Sequence, residues 1–201
     1  SGKSTLVSAA FGMLKQATIT GQILLNGIDI STLSDSDWRK LRGTEISMIF
    51  QNPSAYLNPN RTVENHFKDL FRAHDESYDA SRVIDMLNLV HLDGGERILQ
   101  SYPFQLSGGM QQRLAIALSL ILKPTIVFAD EPTSALDILV QASVLDLLRE
   151  VTQALGATVI IVTHNIKAAA RIAHSIGVMN KGQLVEVGST EEVMACPKDE
   201  Y

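Results

Sequence analysis

The chain has 201 residues, of which 45% are hydrophobic and 19% are charged, and its formal net charge is −5 at pH 7. A globular domain of this size buries enough apolar surface to fold without disulfides or a structural metal, and the single cysteine, Cys196, excludes an internal disulfide framework and a cysteine-based zinc cluster. The acidic balance argues against a broad nucleic-acid-binding surface, and no apolar run approaches the roughly 20 residues of a membrane-spanning helix.

The first quarter of the chain is predicted to contain a hairpin between two helices, followed by a strand. Asn26-Gly27 between two apolar pairs is a strong hairpin signal, and apolar spacing defines the remaining elements. The predicted elements are a helix over 1–16, hairpin strands at 22–25 and 28–30, a short helix over 36–41 and a strand over 46–50. Prolines and asparagines then predict a loop over 51–60.

The remaining chain is rich in helical patterns and then alternates between strands and helices. The predicted elements are helices over 63–73, 81–90, 109–122, 138–155 and 166–173, and strands over 126–129, 158–162, 176–179 and 183–187. Strands that alternate with helices imply an α/β fold with a mostly parallel sheet covered on both faces. The helix-rich stretch 53–122 is expected to be an inserted subdomain.

The chain starts with Ser1-Gly2-Lys3-Ser4-Thr5, which matches the end of a phosphate-binding P-loop. Gly2 allows the backbone to approach a phosphate closely, and Lys3 supplies a positive charge. The Ser4 hydroxyl can ligate Mg²⁺, and the helix dipole favours an anion at this position. Taken alone, these residues are equally consistent with an ordinary polar helix start.

Asp130 and Glu131 directly follow the apolar run 126–129. A buried strand would deliver both carboxylates to the carboxyl edge of a sheet, where α/β proteins bind ligands. In phosphoryl transfer, Asp130 would hold Mg²⁺ and Glu131 would orient and deprotonate the attacking water. The structural alternative is an acidic helix cap before Pro132, and a phosphate loop upstream weakens that alternative.

The stretch 106–113, with the sequence LSGGMQQR, opens another predicted helix with a hydroxyl and two glycines. Such a start exposes backbone N–H groups to an anion. A serine N-cap followed by a glycine turn explains the same residues, and local physics does not distinguish the two interpretations.

Together, LSGGMQQR, IVFADEPTSALD and VTH resemble the nucleotide-binding subunit of an ABC transporter, and their order matches along essentially the whole chain. Within that superfamily, FQNPSAYLNP, YPFQLSGGMQQR and the tail CPKDEY are similar to importers of peptides, nickel and related small solutes. The resemblance implies a RecA-like P-loop NTPase fold over 1–201, an α/β core with the α-helical subdomain 53–122 inserted into it.

The resemblance also implies roles for individual residues, with ATP and Mg²⁺ as the cofactors. Residues implied to bind ATP are Ser1, Gly2, Lys3, Ser4 and Thr5, and those implied to hold Mg²⁺ are Ser4, Gln51 and Asp130. The catalytic residues would be Glu131, His164 and Gln51. The signature residues that would contact ATP on the opposite subunit are Ser107, Gly108, Gly109 and Gln111, and Asp137 would lie at the dimer seam.

Several of these residues have structural alternatives. Gln51 also fits a polar strand end, Asp137 fits a helix N-cap before Ile138, and a histidine after a strand, such as His164, is commonly structural. The chain departs from the family pattern at Asn165, where an aspartate commonly follows the histidine. That departure is expected to affect rate and coupling more than the chemistry.

The implied partners are a second ATP-binding subunit, identical or paralogous, and permease subunits, with an extracytoplasmic solute-binding protein acting indirectly. The implied location is the cytoplasmic side of the cell membrane, with no nucleic-acid partner. A soluble ABC-type ATPase of DNA repair or translation is an alternative, but the interval between Gln51 and Ser107 is too short for a long arm. A non-hydrolytic nucleotide-binding module is another.

No secretory leader is visible at the start of the chain. Because the sequence begins at Ser1 inside a motif, we expect it to be N-terminally truncated, without the first strand, the adenine-stacking aromatic residue and the opening glycine of the P-loop. The 201-residue piece alone is therefore expected to bind ATP poorly.

Overall fold

The computed structural model describes residues 2–14, 17–134 and 136–197, apart from the side chains of Ile138 and Leu139. The chain divides into two compact units. The terminal unit consists of Ser1–Arg39 and Ile161–Tyr201, and the central unit is Lys40–Ile160.

Helices and strands are numbered in chain order. The helices are α1 Lys3–Ala10, α2 Asp35–Leu41, α3 Val63–Ala73, α4 Ala80–Leu89, α5 Gly95–Gln100, α6 Gly108–Leu120, α7 Ile138–Leu155, α8 Ile166–Ile172 and α9 Thr190–Ala195. The strands are β1 Leu24–Leu25, β2 Ile28–Asp29, β3 Ile46–Ile49, β4 Ile126–Asp130, β5 Thr158–Val162, β6 Ser175–Asn180 and β7 Gln183–Ser189.

Strands β3, β4 and β5 form one sheet in that order, and β3 and β4 lie wholly in the central unit. β3 and β4 are parallel, with Ile46 opposite Ile126 and Ile49 opposite Ala129. Every residue of β3 is buried, which is typical of a parallel strand covered on both faces. The hydroxyl of Ser119 on α6 donates to the carbonyl oxygen of Met48 at 3.1 Å, so the helix is tied to the strand that it covers.

Between β3 and β4, the stretch 53–122 contains helices and turns and no strand. Helices α3 and α4 begin at side-chain caps: Thr62 accepts from the N–H of Asn65, and Asp79 accepts from that of Arg82. The aromatic rings of Phe67 and Phe71 are almost fully buried, so α3 contributes to a hydrophobic core. Helix α5 was not predicted, because the preceding glycines suggested only a break.

The terminal unit contains two antiparallel hairpins, β1–β2 and β6–β7. Helix α1 ends at Ala10 and is shorter than the predicted helix over 1–16. Gly12 has a left-handed φ of 68°, and its N–H bonds to the carbonyl of Ala9, which ends the helix. A Cβ at Gly12 would lie 2.4 Å from Cε2 of Trp38, so only glycine fits at this helix end.

Among the described residues, no helix is both long and apolar enough to cross a membrane.

Candidate functional site

The carboxyl edge of the central sheet carries three of the predicted site residues. The register that pairs Ile49 with Ala129 places Gln51, just beyond β3, at the same edge as Asp130 and Glu131 at the end of β4. Gln51 is exposed, and both carboxylic acids are half-buried. The side chains that the sequence predicted for Mg²⁺ and water therefore emerge from neighbouring parallel strands.

Glu131 occupies an unusual backbone conformation, with a left-handed φ of 48°. Its carbonyl oxygen accepts two hydrogen bonds from Ser134, one from the N–H at 3.2 Å and one from the hydroxyl at 3.1 Å. Pro132 and Thr133, which complete the turn, are buried. Sequence reasoning identified Glu131 but gave Ser134 no role, because the turn was visible only as residues between a strand and a helix.

The second candidate anion site is the start of α6. Ser107 is its N-cap, with extended backbone angles φ −63° and ψ 161°, and its hydroxyl accepts from the N–H of Met110 at 3.4 Å. The side-chain amide of Gln111 donates to the carbonyls of Pro103 at 2.9 Å and Leu106 at 3.1 Å. Ser107 and Gly108 are exposed. The serine is thus a helix cap and is also accessible from outside.

The start of α6 packs against the segment that leads into α7. A Cβ at Gly108 would lie 3.8 Å from Leu136, and one at Gly109 would lie 3.4 Å from Val140. Asp137 holds the N-cap position of α7, yet its side chain makes no capping hydrogen bond, and the residue is exposed. Asp137 therefore lies at the helix-cap position, as the structural alternative expected, but its side chain does not cap the helix.

The P-loop residues lie in the terminal unit, at the start of α1. Gly2 is the N-cap, with a left-handed φ of 88°, and a Cβ there would approach the Cα of Gly182 to 3.5 Å. The first turn has no side-chain cap and no acidic residue. Lys3 is half-buried, whereas Ser4 and Thr5 are exposed. Ser1, which was also predicted to bind ATP, lies outside the described residues.

His164 lies in the terminal unit, in the exposed turn between β5 and α8. Beside it, the carboxamide oxygen of Asn165 accepts from the N–H groups of Lys167 and Ala168, each at 3.1 Å. Asparagine and aspartate are similarly good N-caps, so Asn165 preserves the capping function that an aspartate would have at this position.

The loop after Gln51 is tied down at its far end by His66 on α3. Nε2 of His66 accepts from the N–H of Asn58 at 3.0 Å, so its Nδ1 carries the proton and donates to the carbonyl of Thr62 at 2.8 Å. Nearer Gln51, the ring of Tyr56 packs at 5.3 Å from that of Phe50. The predicted loop is therefore ordered, with a short 3₁₀ turn at Pro53–Ala55.

The donor set predicted for Mg²⁺ consists of a hydroxyl, an amide oxygen and one carboxylate, from Ser4, Gln51 and Asp130. Hard oxygen ligands with few protein carboxylates suit Mg²⁺, which keeps several waters and takes further ligands from phosphates. In the part of the chain that the structure describes, no group of three or more His, Cys, Asp or Glu side chains could hold a metal. The chemistry of the donors therefore fits magnesium with a nucleotide and does not fit an all-protein metal cage.

Comparison with known families places these features in context. The sequence profile described as "ABC transporter" matches residues 1–134, two thirds of the chain. The chain belongs to the ABC transporter family. The match includes the P-loop residues, the signature stretch and the acidic pair 130–131.

Relatives of this ABC chain include peptide transport proteins. It is 39% identical over its whole length to the oligopeptide transport ATP-binding protein OppD of Lactococcus lactis subsp. cremoris (strain SK11). It is 41% identical over its whole length to the dipeptide transport ATP-binding protein DppD of Bacillus subtilis (strain 168). The chain spans 61% and 62% of the lengths of these two relatives.

Solved ABC cassettes share its fold. The structure of cbiO1 from Clostridium perfringens, part of the ABC transporter complex cbiONQ, aligns with a TM-score of 0.81 at 30% identity, covering 97% of this chain and 75% of cbiO1. The ATP-binding cassette MJ0796, a dimer in a post-hydrolysis state bound to ADP and Pi, aligns with a TM-score of 0.77 at 30% identity, covering 94% of this chain and 81% of that one. These matches confirm the predicted fold class.

Proposed function

We propose that this chain is the ATP-binding and ATP-hydrolysing part of an ABC transporter subunit. The observation that carries the proposal is the parallel register of β3 and β4, because it puts Gln51 at the sheet edge where Asp130 and Glu131 emerge. An amide and two carboxylates at one edge suit the binding of a hydrated metal and the activation of a water molecule.

The residues at the start of α1 would hold the triphosphate. Gly2 brings the backbone close to the phosphates, and Lys3 balances the negative charge of the β- and γ-phosphates. Ser1 and Thr5 would complete the loop. The absence of an acidic residue in the first turn of α1 supports this role, since a carboxylate there would repel the phosphates.

Ser4, Gln51 and Asp130 would hold Mg²⁺, which supplies neutralisation of charge on the phosphate oxygens. Glu131 would accept a proton from the water that attacks the γ-phosphorus, while the bond to the bridging oxygen breaks and ADP departs. Gln51 would orient that water, and His164 would donate a hydrogen bond to the γ-phosphate. Catalysis then consists of positioning and charge stabilisation.

A second ATP-binding subunit, identical or paralogous, would complete each site. Ser107, Gly108 and Gly109 would contact the γ-phosphate of ATP held by that subunit, with Gln111 in the same ATP-facing signature and Asp137 at the seam. The exposure of Ser107 and Asp137 supports this arrangement, as does the dimeric state of the ADP-bound cassette MJ0796. ATP binds the closed pair better than the open pair, and that difference in affinity drives closure.

The transported solute would be a peptide, nickel or a related small solute. The names of the relatives OppD and DppD, oligopeptide and dipeptide transport proteins, support a peptide as the solute. Permease subunits would dock near Gln51, and residues 53–122 would form a helical subdomain that moves with them. An extracytoplasmic solute-binding protein would act indirectly, and the chain would sit at the cytoplasmic side of the cell membrane.

The deciding experiment is Glu131→Gln in the full-length protein, with ATP affinity and steady-state hydrolysis measured separately. Loss of a general base should reduce turnover by about 10²- to 10⁴-fold while ATP binding persists. Glu150→Gln is the matched control, because Glu150 is an exposed glutamate on α7. Near-normal hydrolysis by the Glu131 variant would remove this residue from its proposed role.

The transport assignment needs its own readout. The full-length protein, reconstituted with its permease in vesicles, should couple ATP hydrolysis to uptake of a labelled peptide. Uptake of nickel without peptide would change the proposed solute but keep the role in an importer. Co-purification with ribosomes or DNA in place of a permease would contradict the transport role.

A further inference from the structure

The turn after β4 holds Glu131 in a conformation that its own sequence does not favour. A glutamate with a φ of 48° lies in the left-handed region, where side chains other than glycine are sterically disfavoured. Glu131 also precedes Pro132, and a residue before proline prefers extended backbone. Local preference therefore opposes the observed geometry, so contacts from elsewhere must maintain it.

Ser134 provides those contacts. Its N–H donates to the carbonyl oxygen of Glu131 at 3.2 Å, as in a β-turn with proline at the second position. Its hydroxyl donates to the same oxygen at 3.1 Å. Most residues at position 134 could supply the first bond, but only a side chain with a short hydroxyl can supply the second.

The segment that carries Ser134 is itself held in place by hydrogen bonds. The N–H of Leu136 donates to the carbonyl of Thr133 at 3.1 Å, and the side-chain amide of Gln141 on α7 donates to the carbonyl of Leu136 at 2.9 Å. The buried side chains of Pro132 and Thr133 hold the middle of the turn. A displacement of Glu131 is therefore resisted through the turn and, beyond it, through α7.

We propose that Ser134 is a positioning residue whose hydroxyl fixes the Glu131 carbonyl and thereby aims the Glu131 side chain along the β4 edge. The backbone torsions of Glu131 set the direction in which its Cα–Cβ bond leaves the sheet. Holding the carbonyl restrains the ψ torsion of Glu131 relative to the anchored turn, and with it the path of the carboxylate toward its water. This inference rests on the proposed role of Glu131 as general base.

The test compares three variants of the full-length protein by kcat, KM and ATP affinity. Ser134→Ala should lower kcat by about 10- to 100-fold, the scale of a small misplacement of a catalytic group, and should leave ATP affinity unchanged. Ser134→Thr keeps the hydroxyl and should restore most of kcat. Ser143→Ala is the matched control, because Ser143 is exposed and its hydroxyl donates to the carbonyl of Val140 at 2.9 Å, so it removes a similar bond away from Glu131.

A double-mutant cycle separates positioning from general weakening of the fold. In a Glu131→Gln background, Ser134→Ala should cause no further loss of kcat, because the base that it positions is already absent. Multiplicative losses would overturn the proposal. So would a wild-type kcat in Ser134→Ala, or a folded Ser134→Thr variant that is as slow as Ser134→Ala.

Three further outcomes keep the test decisive. If Ser134→Ala does not fold, Ser134→Cys replaces it, and its weaker thiol donor should give a kcat between those of serine and alanine; a wild-type kcat would overturn the proposal. If the wild-type protein hydrolyses ATP and Glu131→Gln does not, a failure of Ser134→Ala to slow turnover rejects only this inference. A wild-type protein without ATPase activity rejects the proposed function itself.

Discussion

Two helix starts in this protein carry the features of a phosphate site, but they are built differently. Helix α1 begins after Gly2 in left-handed backbone, without a side-chain cap, and Lys3 lies in its first turn. Helix α6 begins after Ser107 in extended backbone, and the serine hydroxyl accepts from the N–H of Met110. Each helix has a positive dipole end, but only α1 adds a cationic side chain there.

This difference predicts different roles for the two helix starts in nucleotide binding and in activity. At the start of α1, the helix dipole and the positive charge of Lys3 both favour an anion. At the start of α6, the N–H of Met110 already donates to the Ser107 hydroxyl. This helix start therefore suits a weaker contact with a phosphate that other residues bind. We therefore expect α1 to determine nucleotide affinity and α6 to determine activity.

The largest expected effect is at α1. Lys3→Ala in the full-length protein should weaken ATP binding by about 10- to 100-fold, because a hydrogen bond to a charged group is lost. Isothermal titration with ATP measures the change, and Lys40→Ala on α2 is the matched control at an exposed lysine. Unchanged affinity in Lys3→Ala would remove the distinction between the two helix starts.

The next effect concerns the other end of α1. Gly12→Ala should destabilise the protein by about 2 kcal/mol, because the new Cβ would meet Trp38 at 2.4 Å in left-handed backbone. Urea unfolding measures the loss. Gly21→Ala separates the two causes, since Gly21 also has a positive φ, of 98°, but nothing lies within 4 Å of a Cβ there. Equal losses in both variants would show that the Trp38 contact contributes nothing.

A smaller effect is expected at the α6 cap. Ser107→Ala should cost about 1 kcal/mol of stability, the usual value of a serine N-cap, and should also lower ATPase activity. Ser189→Ala is the matched control, because Ser189 caps α9 with nearly the same backbone angles, φ −60° and ψ 154°. Thermal melting should show similar losses for both variants, with ATPase activity reduced only for Ser107→Ala. If both variants keep full activity, Ser107 is a structural cap alone.

The smallest effect is at the end of α6, which contrasts with the end of α1. Lys123 has a left-handed φ of 56°, and its N–H bonds to the carbonyl of Leu120 at 2.8 Å. Lys123→Gly should stabilise the protein by about 0.5 kcal/mol, because relief of the left-handed strain exceeds the added entropy of the unfolded chain. Chemical denaturation is sensitive enough to measure this gain. A clear loss of stability would mean that the lysine side chain stabilises this helix end.

Many of the helices and strands could be predicted from the spacing of apolar residues along the chain. The predicted helices over 63–73 and 138–155 agree with α3 and α7 to the residue, and the strand predicted at 158–162 agrees with β5. These elements have a continuous apolar face, and that signal lies within a few turns of chain. Helix α5 was missed because the glycines at 94–95 suggested only a break, and the six-residue helix α9 was also missed.

The candidate site was only partly predictable. Asp130 and Glu131 could be proposed because two carboxylates follow an apolar strand, whereas Gln51 was implied only by the family resemblance. The capping role of Asn165 had a signal as well, since asparagine directly before a helix is a strong N-cap. Ser134 had none: its contact depends on the left-handed backbone of Glu131, which the following proline disfavours.

The sequence by itself determined the types of the main elements and the chemistry that they carry, because propensity, caps and motif side chains act over a few neighbouring residues. Only the tertiary structure decided that Gln51 shares a sheet edge with Asp130, that Trp38 imposes a glycine at the end of α1, and that Ser134 holds Glu131. The first two depend on residues far apart in the chain, and the third on a strained backbone. Folding selects these arrangements through packing of the whole domain and not through local preference.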